Sequence, residues 1–175
     1  TGTQMVFVYT VKSGDLDAAG GITAAASALV NTASSTIKDA AGNAADLSVA
    51  AITAGTNSLA VDAVTPTVQS VSLVSTAGTD NTYKAGDDIL VDVQFSEVVN
   101  VAGIGTGAAA KPPYINVKVG SSLVQAQYVS GTGSNTLRFK YTVAAGDNDT
   151  DGVSINANSL TLGDGTATIL DAAGD

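Results

Sequence analysis

Two motifs recur in this chain at a single offset, and that recurrence constrains the fold more than any local pattern does. Tyr9-Thr10-Val11 and Tyr141-Thr142-Val143 stand 132 residues apart, and each is followed by a Gly-Asp pair, Gly14-Asp15 and Gly146-Asp147. Asp39-Ala40-Ala41-Gly42 and Asp171-Ala172-Ala173-Gly174 stand the same 132 residues apart. Recurrence at a fixed period marks a chain built from one unit used more than once. The 175 residues hold about one and a third such units. Residues 1–62 correspond to the second half of the unit that begins near Pro66. Residues 43–62 have almost no counterpart before Asp175. Half a β-sandwich leaves open edges and an uncovered apolar face, so 1–62 is expected to be completed by further chain or by a neighbouring molecule.

The local pattern is that of strands. Ile89, Val91, Val93 and Phe95 alternate with polar residues, as do Ile115, Val117 and Val119, and Val124, Ala126 and Tyr128. Period-two alternation puts such residues on one face of a half-buried strand. Strands are expected at 68–75, 88–95, 98–101, 113–119, 122–129 and 136–143, separated by Gly, Asp, Asn and Pro turns. No helical pattern lies between them, so parallel βαβ architecture is not expected. The expected fold is all-β: an Ig-like antiparallel β-sandwich in a tandem array. Its expected parts are the C-terminal half of a preceding unit at 1–62, a linker at 63–66, and a unit at 67–175 lacking its last strands. In the first copy, Met5, Phe7, Tyr9 and Val11 match Leu137, Phe139, Tyr141 and Val143, which predicts a strand over 1–11. With Val6 and Val8 also apolar, that strand reads as covered on both faces. Shorter strands are expected around 47–52 and 58–61, and irregular chain with short strand pieces over 18–36.

Composition removes several kinds of chemistry. The chain has no Cys and no His, so Ser-His-Asp and Cys-His catalysis and a disulfide framework are excluded. Paired acids alone could serve a glycosidase, but Trp, the usual sugar-stacking residue, is absent, and no enzyme activity is expected. Sixteen acids against seven basic residues give a net charge of −9, which disfavours nucleic acid and anionic membranes as partners. No run is long enough for membrane insertion. At 45% hydrophobic the chain is too apolar for a disordered linker.

Fifteen of the sixteen acids are Asp, the residue of turns and hard-cation loops, and Glu97 is the lone Glu. Asp147, Asp149 and Asp151 stand at alternate positions before Gly152, the opening of an EF-hand-type loop. The bidentate Glu of position twelve is replaced by Asn158, so a complete EF-hand is rejected and a shorter oxygen-ligand loop or a solvated acidic turn remains. The first copy keeps only Asp15 and Asp17. Glu97 at a sandwich pole, Asp39 in a turn and Asp62 in the linker are placed as an interdomain cation would need, or are three unrelated surface acids.

The order of motifs resembles a known family. Thr-Tyr-Lys-Ala-Gly-Asp-Asp-Ile (82–89), Val-Asp-Val-Gln-Phe-Ser-Glu-Val-Val (91–99), the run from Tyr128 to Val143, the Gly-Asp-x-Asp-x-Asp-Gly loop and Asp-Ala-Ala-Gly-Asn are similar to the Ig-like tandem repeats of giant bacterial surface adhesins. Two features depart from that pattern: the first copy lacks the third Asp of the loop, and 103–113 is a lengthened loop. The resemblance implies a non-catalytic extender repeat, extracellular and rigidified by Ca²⁺, which projects or links adhesive parts. Its partners would be neighbouring repeats or identical subunits head-to-tail, with any receptor or glycan bound elsewhere in the full protein. Two further readings stand beside it: a self-assembling filament or surface-layer subunit completed by strands from neighbours, and a carbohydrate-binding β-sandwich.

Overall fold

The structure, a computed structural model, describes residues 4–17, 20–32, 36–53, 58–107 and 110–175. The beginning of the expected strand at 1–11, parts of 18–36 and of the loop at 103–113, and residues 54–57 before the expected strand at 58–61 lie outside the described residues. Two compact units are present, Thr1–Val64 and Thr65–Asp175. Both are all-β and antiparallel, and no helix among the described residues is long and apolar enough to cross a membrane.

The second unit holds the core. Its strands are β3 (Val68–Leu73), β4 (Asp88–Ala102), β5 (Tyr114–Val119), β6 (Ser122–Ser130), β7 (Ser134–Thr142), β8 (Leu160–Thr161) and β9 (Thr168–Leu170). Their order in the sheet is β3-β4-β7-β6-β5-β8, with β9 paired to the far end of β4. The expected strands at 88–95 and 98–101 are one continuous β4. Its first part pairs with β7 from Asp88↔Thr142 to Gln94↔Thr136. The register shifts between Gln94 and Val99, and Asn100, Val101 and Ala102 then pair with Leu170, Ile169 and Thr168. That shift carries one strand from one set of neighbours to another and curls the sheet.

Alternation sets the inner face. Ile89, Val91, Val93, Phe95, Ile115, Val117, Ala126, Leu137 and Phe139 are buried together. Tyr128 packs edge-on against Phe139 with ring centroids 6.0 Å apart. The outer face of β4 and β7 carries two charge pairs: Asp92, directly opposite Arg138, accepts from its Nε and Nη2 at 2.7 Å, and Lys140 reaches diagonally to Asp88 at 3.2 Å. The β6–β7 hairpin turns at Gly131, whose φ of +114° is a glycine conformation. A Cβ there would run into the carbonyl of Thr136.

The first unit is thinner. Its strands are β1 (Leu16–Asp17) and β2 (Val61–Asp62), with isolated bridges Ala24↔Ile52 and Lys38↔Ala44. The expected strand at 1–11 does not form over its described part, and the expected strand at 47–52 is reduced to the bridge at Ile52. The physical reason lies in the other copy. There the equivalent residues form β7, held between β4 and β6, and the first unit contains no copy of either. Met5, Phe7 and Tyr9 are therefore well exposed, and Gly21 is the one buried residue among those described in this unit.

Candidate functional site

The acids divide into turn-builders and one pair that lacks partners. A shared turn comes first. Asp15 accepts Tyr9 Oη at 2.6 Å and the amide of Lys12 at 2.8 Å through one carboxylate oxygen. Asp147 repeats this with Tyr141 Oη at 2.7 Å and the amide of Ala144 at 2.8 Å. A third instance lacks the tyrosine: Asp87 accepts the amide of Lys84 at 2.9 Å. Each turn has a glycine at positive φ immediately before the Asp, namely Gly14, Gly146 and Gly86. These hydrogen bonds favour the charged carboxylate and hold Asp15 and Asp147 below the usual carboxylate range, the tyrosine hydroxyl being the largest cause. The same contact raises Tyr9 and Tyr141 above the ordinary phenol range.

The remaining acids of the loop serve the backbone too. Asp149 accepts the amides of Asp151 at 3.1 Å and Gly152 at 2.8 Å through Oδ1, and that of Gly120 at 2.9 Å through Oδ2. It is held low chiefly by the Gly120 amide, which ties this loop to the β5–β6 turn. The carboxylate oxygens of Asp147, Asp149 and Asp151 are not gathered within 4.8 Å of one another. In the first unit Asp17 pairs with Val61 in the short ladder, and Asp62 accepts the amide of Val64 at 3.3 Å.

The Asp-Ala-Ala-Gly turns give the sharper contrast. In the first copy, Oδ1 of Asp39 accepts the amides of Ala41 (2.9 Å) and Asn43 (2.8 Å), and Oδ2 accepts Asn43 Nδ2 at 2.8 Å. Every oxygen of that carboxylate has a donor. In the second copy, Oδ1 of Asp171 accepts the amides of Gly174 (2.7 Å) and Asp175 (3.0 Å). The residue equivalent to Asn43 is now Asp175, which as a carboxylate has no N–H to give. Oδ2 of Asp171 and Oδ2 of Asp175 are both buried without a hydrogen-bond partner. Asp171 is only 6% exposed, and a carboxylate oxygen of half-buried Glu97 lies within 4.8 Å of one of Asp171. The fold explains the meeting. Glu97 lies in the register shift of β4, and Asp171 directly follows β9, which pairs with the far end of the same strand.

Buried carboxylate oxygens without donors are costly. A hard cation satisfies them, because it needs several anionic oxygens at short range and no hydrogen. The amides of Asp175, Gly174 and Ala173 hold Asp171 below its ordinary range. Of the expected interdomain set, Glu97 is at this place. Asp39 is in a self-satisfied turn, and its repeat Asp171 stands beside Glu97. Sequence reasoning missed Asp171 and Asp175, although the 132-residue offset could have found both.

No family model, no curated protein and no solved structure matches the chain.

Proposed function

We propose that this chain is a non-catalytic structural segment of an extracellular bacterial adhesin or surface fibre, made of tandem Ig-like β-sandwich repeats stiffened by Ca²⁺. The observation that carries the reading is the buried, unpartnered Oδ2 of Asp171, whose carboxylate has an oxygen of Glu97 within 4.8 Å, with a second buried, unpartnered oxygen on Asp175. All-oxygen, all-anionic ligands favour Ca²⁺ over the softer transition metals, which select nitrogen and sulfur. The clasped turns at Asp15 and Asp147 fit a repeat whose ends must keep their shape. Asp15, Asp17, Asp39, Asp62, Asp147, Asp149 and Asp151 remain candidate ligands of further ions in the same reading, each separable by a single Asn substitution.

Isothermal titration of the full chain with Ca²⁺ tests this. A site with a Kd of about 10⁻⁴ to 10⁻³ M is expected, the range of extracellular modules, and Asp171→Asn is expected to abolish it. Heat indistinguishable from dilution, up to about ten times that Kd range, would sink the calcium reading. A second reading, a filament subunit completed by strands from neighbouring molecules, is supported by the exposed Met5, Phe7, Tyr9 and Leu59 of the first unit.

A further inference from the structure

The two copies share the Tyr–Asp turn, yet only one of them is paired beyond it. In the first unit the amide of Gly14 donates to Ala63 O at 2.6 Å and that of Ala63 to Asp15 O at 3.0 Å. Leu16 then faces Asp62, and Asp17 faces Val61. Residues 61–63 thus form an antiparallel strand along 14–17. In the second unit the equivalent residues are 146–149, and among the described residues no strand pairs with them. Asp147, Asn148 and Asp149 instead form the rim of an open groove of about 630 Å³. Its apolar lining is Leu73, Tyr83, Ile89, Val119, Val143 and Val153.

We propose that this groove is the docking site for residues 58–63 of a second copy of this chain, added as an antiparallel strand along 146–149. The claim specifies the strand exchange of the second reading above. Three observations support this occupant. The chain itself displays the pairing, in a turn whose hydroxyl and amide contacts are the same in both copies. The segment is also thinly covered at home: Leu59 is 62% exposed in its own unit, while its carbonyl accepts the Ile22 amide at 3.1 Å. Finally, Asn148 replaces Leu16, so Asp62 faces a side-chain amide in the groove and a leucine at home. Backbone hydrogen bonds lost from 14–17 are regained at 146–149, the Ile22–Leu59 bond is given up, and apolar burial in the groove has to outweigh that loss. Donor and acceptor surfaces differ, so the contact is heterologous and repeats head-to-tail into an open array.

The full chain has no native Cys, which permits a clean cross-linking test. Chains carrying D62C are mixed under mild oxidation with chains carrying N148C, or with chains carrying Q69C on the edge strand β3. The expected product is a 62–148 disulfide between chains, at least tenfold above the 62–69 product and rising with concentration. A dominant 62–69 product, or oligomers without the 62–148 link, overturns the groove while leaving assembly standing. A monomer at every concentration overturns both. As a check independent of the variants, a synthetic peptide of residues 58–64 is added to isotope-labelled wild-type chain. Saturable amide shifts confined to 146–153 and the groove lining are expected. Shifts absent, or confined to β3, refute the proposal.

Discussion

The Asp175→Asn substitution separates the two roles that one turn plays in this chain. In the first copy, Asn43 Nδ2 donates to Oδ2 of Asp39 at 2.8 Å and closes the turn without help. The second copy has Asp175 there, and Oδ2 of Asp171 and Oδ2 of Asp175 are both buried and unpartnered. Asn at 175 restores the donor, so the turn no longer needs a cation and no longer offers it a complete set of anionic oxygens. A site of Kd about 10⁻⁴ M adds about 1.4 kcal/mol to the folded state at about 1 mM Ca²⁺, by mass action. For a unit of this size that is roughly 5 °C in melting temperature. Differential scanning calorimetry of wild type and variant, each in EDTA and in about 1 mM Ca²⁺, reads both quantities. Wild type is expected to gain the full shift. The variant is expected to melt in EDTA at or above the wild-type EDTA value and to gain nothing from calcium. Its mirror, Asn43→Asp, takes the Nδ2 donor from Asp39 in an exposed turn around which no group of three acids gathers among the described residues, and no calcium response is expected there. A calcium shift of unchanged size in Asp175→Asn would refute the reasoning, since the ion would then be held elsewhere.

Three further outcomes follow from the fold. Phe139→Ala removes a fully buried ring packed on Tyr128 and is expected to cost about 3–5 kcal/mol, read by urea unfolding at unchanged m-value. Gly131→Ala forces a side chain into a conformation that costs about 1–3 kcal/mol and against the Thr136 carbonyl; nuclear magnetic resonance of the β6–β7 hairpin should show local rearrangement as well as lower stability. Tyr141→Phe removes the hydroxyl that holds Asp147 low. A depressed carboxylate contributes stability that is present above the ordinary carboxylate pKa and lost as pH falls through the lower folded value. The variant should therefore be less stable than wild type at neutral pH, and the gap should close on acidification below about pH 4. Tyr141, raised by the same bond, adds an alkaline limb: the gap should also close as pH rises from about 10 through the folded value. A gap independent of pH would show that the hydroxyl acts without reference to the carboxylate.

Strand identity in the second unit was legible because its inner face alternates strictly, as at Ile89, Val91, Val93 and Phe95, and because turns flank each run. The join at Ser96-Glu97-Val98 was not legible. A register shift inside one strand looks in sequence like a gap between two, and Glu97 among apolar residues strengthens that impression. The run from Met5 to Val11 failed for the opposite reason. Its alternation matches that of β7, but pairing depends on neighbours that are remote in sequence and have no counterpart in the first unit. The acidic loop is ambiguous in a third way. Alternating Asp residues before a Gly fit a cation loop, and they fit equally well a turn whose carboxylates accept the backbone amides that it exposes. Spacing alone cannot tell these apart, because both place oxygens at the same intervals.

What does discriminate is the difference between the copies. Where they agree, as at Tyr9/Tyr141, Asp15/Asp147 and Asp39/Asp171, the shared residues build the same turns in both units, and agreement therefore reports local shape. Where they disagree, at Asn43/Asp175 and Leu16/Asn148, the backbone turn is retained while the partner it asks for changes. Exchanging an amide for a carboxylate turns a closed hydrogen-bonded loop into one with two unsatisfied anions. Exchanging a leucine for an amide puts Asn148 in the groove lining where the first copy has Leu16 opposite Asp62, the change on which the proposed docking rests. Each is a single side-chain change on a fixed scaffold, and each converts a self-sufficient feature into one that needs something from outside. In the proposed reading, with an ion held at one place in a unit and a strand at another, this division is what the function requires. The common residues hold the geometry constant, so a substitution at one position adds a partner without disturbing the fold that presents it.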